Sequence, residues 1–227
     1  MATFFGEVVT GSYRYIDPDH PDYNDLRAAP QSWSLEPEEV KKEDNLLIIT
    51  EGDIAGSYVR LLADEQMDTA ARVTSSGGAE LEVRRGRTWT HVSCSGLESG
   101  NIGRVLLSLA ATETCRVLVL ASRHVSQLRC EEESRGVHCL ATKGWGDTPL
   151  PCPALPQPNI VSGNCPYMLE TVNIKNCSLG LTSILLTEGQ MSGKKVLSLL
   201  VYTDVMKVDS LSVSPFKIIH KIGPENL

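Results

Sequence analysis

Residues 117–124 read VLVLASRH, entered from Arg116, and the fold of this chain turns on how they are taken. The first five are apolar without a polar alternate, the pattern of a strand covered on both faces, as in a parallel sheet. Upstream, Ser99 is placed to cap a helix whose apolar face is Ile102, Val105, Leu106 and Leu109. Residues 99–121 therefore predict a helix followed by a core strand, one half of an α/β unit.

Working outward, VLSLLVY at 196–202 repeats the core-strand pattern after Lys194-Lys195. LLIIT at 46–50 leads into the turn Glu51-Gly52-Asp53, and Ile54, Tyr58, Leu61 and Leu62 predict an amphipathic helix over 54–66. Ser75-Ser76-Gly77-Gly78 is a turn signal, Leu81 and Val83 alternate with Glu82, and Thr88–Ser93 offers a further strand. Leu181, Ile184 and Leu185 mark a helical face bounded by Gly180 and Gly189. Leu211, Val213, Phe216, Ile218 and Ile219 mark a last helix, entered near Pro215. Residues 122–142 carry no legible period. The order predicts a three-layer α/β domain with a central, mostly parallel or mixed sheet flanked by helices. The hairpin character of 75–95 keeps an α+β arrangement open.

Composition sets the limits. Of the 227 residues 41% are hydrophobic and mean hydropathy is -0.10, enough for a sizeable core. Three Phe and three Trp leave that core to aliphatic side chains. Asp17–Asp44 holds nine acids against Arg27, Lys41 and Lys42, a local balance of -6 within a total of -7. The remainder is nearly neutral and has no basic stripe, which argues against a nucleic-acid partner. The short knot Arg84, Arg85 and Arg87 suits a solvated turn.

Pro18, Pro21, Pro30 and Pro37 among those acids predict a loosely ordered, solvent-facing segment over 11–44. It follows an apolar segment, 1–10, joined to the body, and closes with a short helix over Glu36–Asp44. The body is one α/β domain over 45–227, interrupted by an irregular loop at about 144–160 carrying Pro149, Pro151, Pro153, Pro156 and Pro158. No segment reaches the ~18 apolar residues of a transmembrane helix, and MATFFGEVV lacks the pattern of a signal peptide. The seven cysteines contain no C-x-x-C pair, so neither a disulfide framework nor a metal site is expected. Cys130, His138 and Cys139 are the nearest approach to a ligand set, and no fourth ligand has suitable spacing.

Catalytic patterns are sparse. Glu51–Gly56 has the glycines of a phosphate loop but also two acids that repel phosphate, and Met191–Lys195 precedes a strand instead of following one. No G-x-S-x-G elbow occurs. Ser122, Arg123 and His124 fall at the carboxyl end of the VLVLA strand, where crevices form in open sheets. That makes them the best enzyme-like group, suited to a small-molecule hydrolase or transferase if a third member comes from elsewhere. The alternative is structural, with Arg123 paired to an acid and His124 supporting a loop. Asp204 ends the 196–202 strand in the same way. One carboxylate is not a site, and Thr203 with Asp204 reads as caps for a following helical turn, behind a Tyr202 with apolar body and polar tip.

Four words in order along the chain, MATFFGEVV at the start, VLVLASRHV at 117–125, LPQPNIV at 155–161 and VYTDVMKVD at 201–209, resemble the proteasome assembly chaperone 1 family. The resemblance spans most of the chain, thinning over Gly11–Asp44 and Ser162–Lys194. None of the words is catalytic. The resemblance implies a chaperone without catalytic residues, metal or cofactor, which pairs with a proteasome assembly chaperone 2-like partner and binds proteasome α subunits. It implies promotion of the seven-membered α ring, suppression of ring dimers, and a cytoplasmic location with some association with the endoplasmic reticulum. The matching positions Arg123, His124, Gln157, Pro158, Asn159, Tyr202, Thr203, Asp204 and Lys207 are the candidate partner-binding residues. Family members can end in a hydrophobic–Tyr–any residue tail. This chain ends Gly223-Pro224-Glu225-Asn226-Leu227, without that Tyr, so the expectation is either a truncated chain or docking through the partner's tail and surface contacts.

Overall fold

In the computed structural model, the described residues are 32–37, 46–62, 67–86, 88–94, 101–110, 112, 114–124, 137–145, 180–204 and 207–221. The chain divides into units 1–30 and 31–227, and every described residue lies in the second. In chain order the elements are β1 (Trp33–Glu36), β2 (Leu46–Glu51), α1 (Asp53–Leu62), β3 (Asp68–Ser75), β4 (Glu80–Arg85), β5 (Trp89–Cys94) and α2 (Ile102–Ser108). They continue with β6 (Arg116–His124), β7 (Val137–Ala141), α3 (Leu181–Met191), β8 (Lys195–Thr203) and α4 (Ser210–Val213), with 3-10 turns at Lys143–Trp145 and Ser214–Lys221.

The sheet has eight strands in the order β1-β3-β4-β5-β2-β6-β8-β7. Its centre, β5-β2-β6-β8, is parallel. β4, β3 and β1 extend one side and β7 the other, all antiparallel. The VLVLA reading holds because β6 is one of the inner strands: Val117 through Ala121 are all buried, with alternate side chains serving two separate cores. Leu47, Ile49, Val117, Val119 and Leu200 pack with Ile102, Leu106, Leu181 and Leu185 of α2 and α3. On the other face Ile48, Leu118, Leu120 and Leu199 pack with Ile54 and Tyr58 of α1 and with Phe216 and Ile219. Helix, sheet and helix make three layers, as predicted. The hairpin at 75–95 is real too, but it extends a parallel sheet, which makes that sheet mixed.

Several local readings differ from the structure. Trp33–Glu36, inside the segment expected to be loosely ordered, is a strand: Trp33 is 5% exposed and Ser34 and Leu35 pair with Thr74 and Val73. The Asn101 side chain clips it, accepting from Trp33 N–H at 2.7 Å and donating to Trp33 C=O at 3.1 Å. Gly189 does not end α3. It lies inside the helix, where a β-carbon would run into the Val196 side chain. The last helical segment starts at Ser210, with Pro215 already inside it. β7 rises from the region without a legible period. The expected cap Ser99, most of the expected helix at 36–44, helix residues 63–66 and loop residues 146–160 lie outside the described residues.

Candidate functional site at the carboxyl end of the sheet

β2 pairs with β5 on one side and β6 on the other, so the chain changes direction of winding at β2. Crevices in open α/β sheets form outside the strand ends at such a point. Gly52 turns the chain there with φ of 87°, its N–H donating to Cys94 C=O at 3.0 Å. A positive φ of this size suits glycine, which has no β-carbon to clash.

Glu51, the last residue of β2, is 4% exposed and faces α2 and α3. A buried carboxylate needs partners for both oxygens, and it has them. Arg123 Nη2, from the end of β6, lies 2.7 Å from Oε1. Thr182, in the first turn of α3, donates to Oε2 from its backbone N–H at 3.1 Å and its hydroxyl at 2.5 Å. Arg123 Nη1 also donates to Ser122 C=O at 3.0 Å. One carboxylate thus fastens β2, β6 and the start of α3 together. Tyr202 of β8 stands beside Arg123 in register and is buried, its ring edge-on to His138 of β7 with centroids 5.7 Å apart. Glu51, Arg123, Tyr202 and His138 form a polar row across four strands, closed from one side by Thr182.

The opposite face carries different groups. Strand alternation sends Ser122 and His124 there, away from Arg123, so the three residues considered together in sequence are divided between two faces. Ser122 is buried and His124 exposed. Thr50 Oγ1 lies 3.0 Å from His91 Nε2. Burial, then the charges of Arg84 and Arg60, hold the His91 pKa down at about 4, so the ring is neutral near pH 7.

Of the other sequence candidates, Thr203 is half-buried at the end of β8, and Asp204 and Lys207 are exposed. Residues 205–206, which a cap from Thr203 and Asp204 would serve, lie outside the described residues; the cap of α4 is Asp209, whose Oδ1 accepts from Leu211 N–H at 3.0 Å and Ser212 N–H at 2.8 Å. Gln157, Pro158 and Asn159 lie outside the described residues. Sequence reading missed Glu51 as a buried partner, although an acid directly after the largely apolar LLIIT run was its signal. Thr182 gave none, since its role depends on a residue far away in the chain. Among the described residues no group of three or more His, Cys, Asp or Glu could hold a metal. His138 and Cys139, being adjacent in β7, point to opposite faces. Cys94, Cys115 and Cys139 are buried.

No protein-family model matches this chain, and no curated protein sequence matches it. Solved structures do. Pyrococcus furiosus PbaA, an archaeal homolog of proteasome-assembly chaperone, aligns over 86% of this chain and 88% of its own, with TM-score 0.54 and 15% identity. Pyrococcus furiosus PbaB, an archaeal proteasome activator, aligns over 85% and 88%, with TM-score 0.53 and 11% identity. A Thermoplasma acidophilum protein of unknown function aligns over 81% and 78%, with TM-score 0.52 and 13% identity. At these identities the likeness is one of fold: this chain has the three-layer fold of the archaeal assembly-chaperone homolog. Among the described residues no helix is long and apolar enough to cross a membrane.

Proposed function

We propose that the protein is a non-catalytic chaperone of 20S proteasome assembly, which pairs with a second assembly chaperone and binds α subunits before the ring closes. The observation that carries this reading is the fold shared with PbaA over most of both chains, 86% and 88%. The family words at 117–125 and 201–209 support it, because Ser122, Arg123 and His124 of the first pair with Val201, Tyr202 and Thr203 of the second at the ends of β6 and β8. The use of Glu51 supports it as well: both carboxylate oxygens are engaged by Arg123 and Thr182, so the group at the switch point fastens the scaffold. On this reading Arg123 and Tyr202 shape the strand ends from within, while exposed His124, Asp204 and Lys207 belong to the outer surface. The protein works in the cytoplasm.

The test is purification of the tagged chain at physiological salt, with bound proteins identified by mass spectrometry. One small α/β partner and free α subunits should co-purify, without mature 20S particles. Recovery of neither the partner nor any α subunit overturns the proposal. The pair should bury at least ~1,000 Å² with an apolar centre.

A further inference from the structure

We infer that Asn101 guards the outer edge of the sheet, keeping β1 from pairing with β1 of a second copy of this chain. β1 ends the strand order on its side, and among the described residues β3 is its only sheet neighbour. Ser76 N–H donates to Ser32 C=O at 2.8 Å, and the register continues through Ser34↔Thr74 to Glu36↔Arg72. Opposed residues in an antiparallel ladder alternate between pairs that exchange bonds and pairs that do not. Ser32, Ser34 and Glu36 therefore turn their backbone groups to β3, while Trp33 and Leu35 turn theirs outward. An edge of this kind is a template for another strand.

At Trp33 the template is already filled. Asn101 Oδ1 accepts from Trp33 N–H at 2.7 Å, and Asn101 Nδ2 donates to Trp33 C=O at 3.1 Å. One carboxamide, carrying both a donor and an acceptor, thus makes both bonds that a residue of a further strand would make. Asn101 is also the N-cap residue of α2, where an asparagine side chain ordinarily caps its own helix, and it makes no such bond. The side chain serves β1 at the expense of its own helix end. A second copy is what it keeps off, because this edge is complementary to itself. Two β1 strands laid antiparallel about a twofold axis at Ser34 would join Trp33 of each copy to Leu35 of the other. Every rung of that ladder needs Trp33, so filling Trp33 in both copies removes all of it.

The experiment compares the full isolated chain with its Asn101→Ala variant by sedimentation equilibrium over a range of concentrations. The substitution should tighten self-association at least about tenfold, the worth of one or two backbone hydrogen bonds. Adding Leu35→Pro removes an outward N–H at an edge position that tolerates proline, and should return association to the wild-type level. Association through partial unfolding would instead rise in that double variant, so the two causes separate. Hydrogen exchange on the wild-type chain gives a measurement that depends on no variant: the Trp33 amide, bonded to Asn101, should exchange more slowly than the Leu35 amide. No tightening in Asn101→Ala overturns the inference. So does association that persists with Leu35→Pro, or equal exchange at Trp33 and Leu35. Because only the isolated chain is used, failure here leaves the assembly reading standing.

Discussion

Replacing Arg123 with Met should be among the most damaging single changes at the strand ends. The substitution keeps the length of the side chain but removes the cation 2.7 Å from a carboxylate that is 4% exposed. Glu51 would retain only Thr182, and a buried charge stripped of its counter-ion costs about 3–5 kcal/mol. An exposed pair of the same geometry would cost at most about 1 kcal/mol. Burial therefore decides the magnitude, and the two figures are far enough apart to measure. The assay is urea unfolding at pH 7 followed by circular dichroism, with the midpoint compared at constant slope. Glu51→Gln combined with Arg123→Met removes both charges and should recover most of the loss, since a neutral replacement of a buried pair is often close to neutral in stability. A loss below about 1 kcal/mol for Arg123→Met, or a double variant as unstable as the single ones, would refute the view that this pair fastens β2, β6 and α3.

Other residues test other parts of the account. His91 is neutral in the fold with its pKa lowered from 6.5 to about 4, so the unfolded chain takes up its proton first as pH falls. Wild-type stability relative to His91→Gln should therefore shrink by about 3 kcal/mol between pH 6.5 and 4 and level off below that, read by urea titration at each pH. Gly189→Ala should destabilise by about 1–3 kcal/mol through overpacking, because its β-carbon meets Val196; thermal unfolding measures this. Asp209→Ala should loosen the start of α4, seen as faster amide exchange at Leu211 and Ser212, whereas Asp204→Asn should leave exchange and stability unchanged. The Asp209 carboxyl is held below its ordinary 3.8 by N–H donors of Ser212 and Leu211, so its contribution persists above that pH and is lost as pH falls through the lower folded value.

The fold was legible where a single strand carried its own message. VLVLA at 117–121 and VLSLLVY at 196–202 lack polar alternates because they are inner strands with neighbours on both sides and helices on both faces. β1 was hidden because its anchors, Asn101 and β3, are distant in sequence. β7 was hidden because an edge strand of five residues gives too short a pattern. Gly189 reads as a helix breaker in sequence, yet its use is closeness to β8, which only packing shows. At the site, Arg123 paired with an acid was one of the alternatives read from sequence. Which acid was not legible, since Glu51 lies 72 positions earlier in another strand. Asp209 makes the same point: it is an acid after a strand like Asp204, and its place where two helical N–H groups converge shows only in the fold.

The central claim is assembly without catalysis, and its most direct measurement is native mass spectrometry of α-ring formation. Purified α subunits are mixed with the chain together with its captured partner, and single and paired seven-membered rings are counted against a control lacking both. The account predicts more single rings and fewer ring dimers. An unchanged distribution, with the chain and partner shown to be bound, would contradict it.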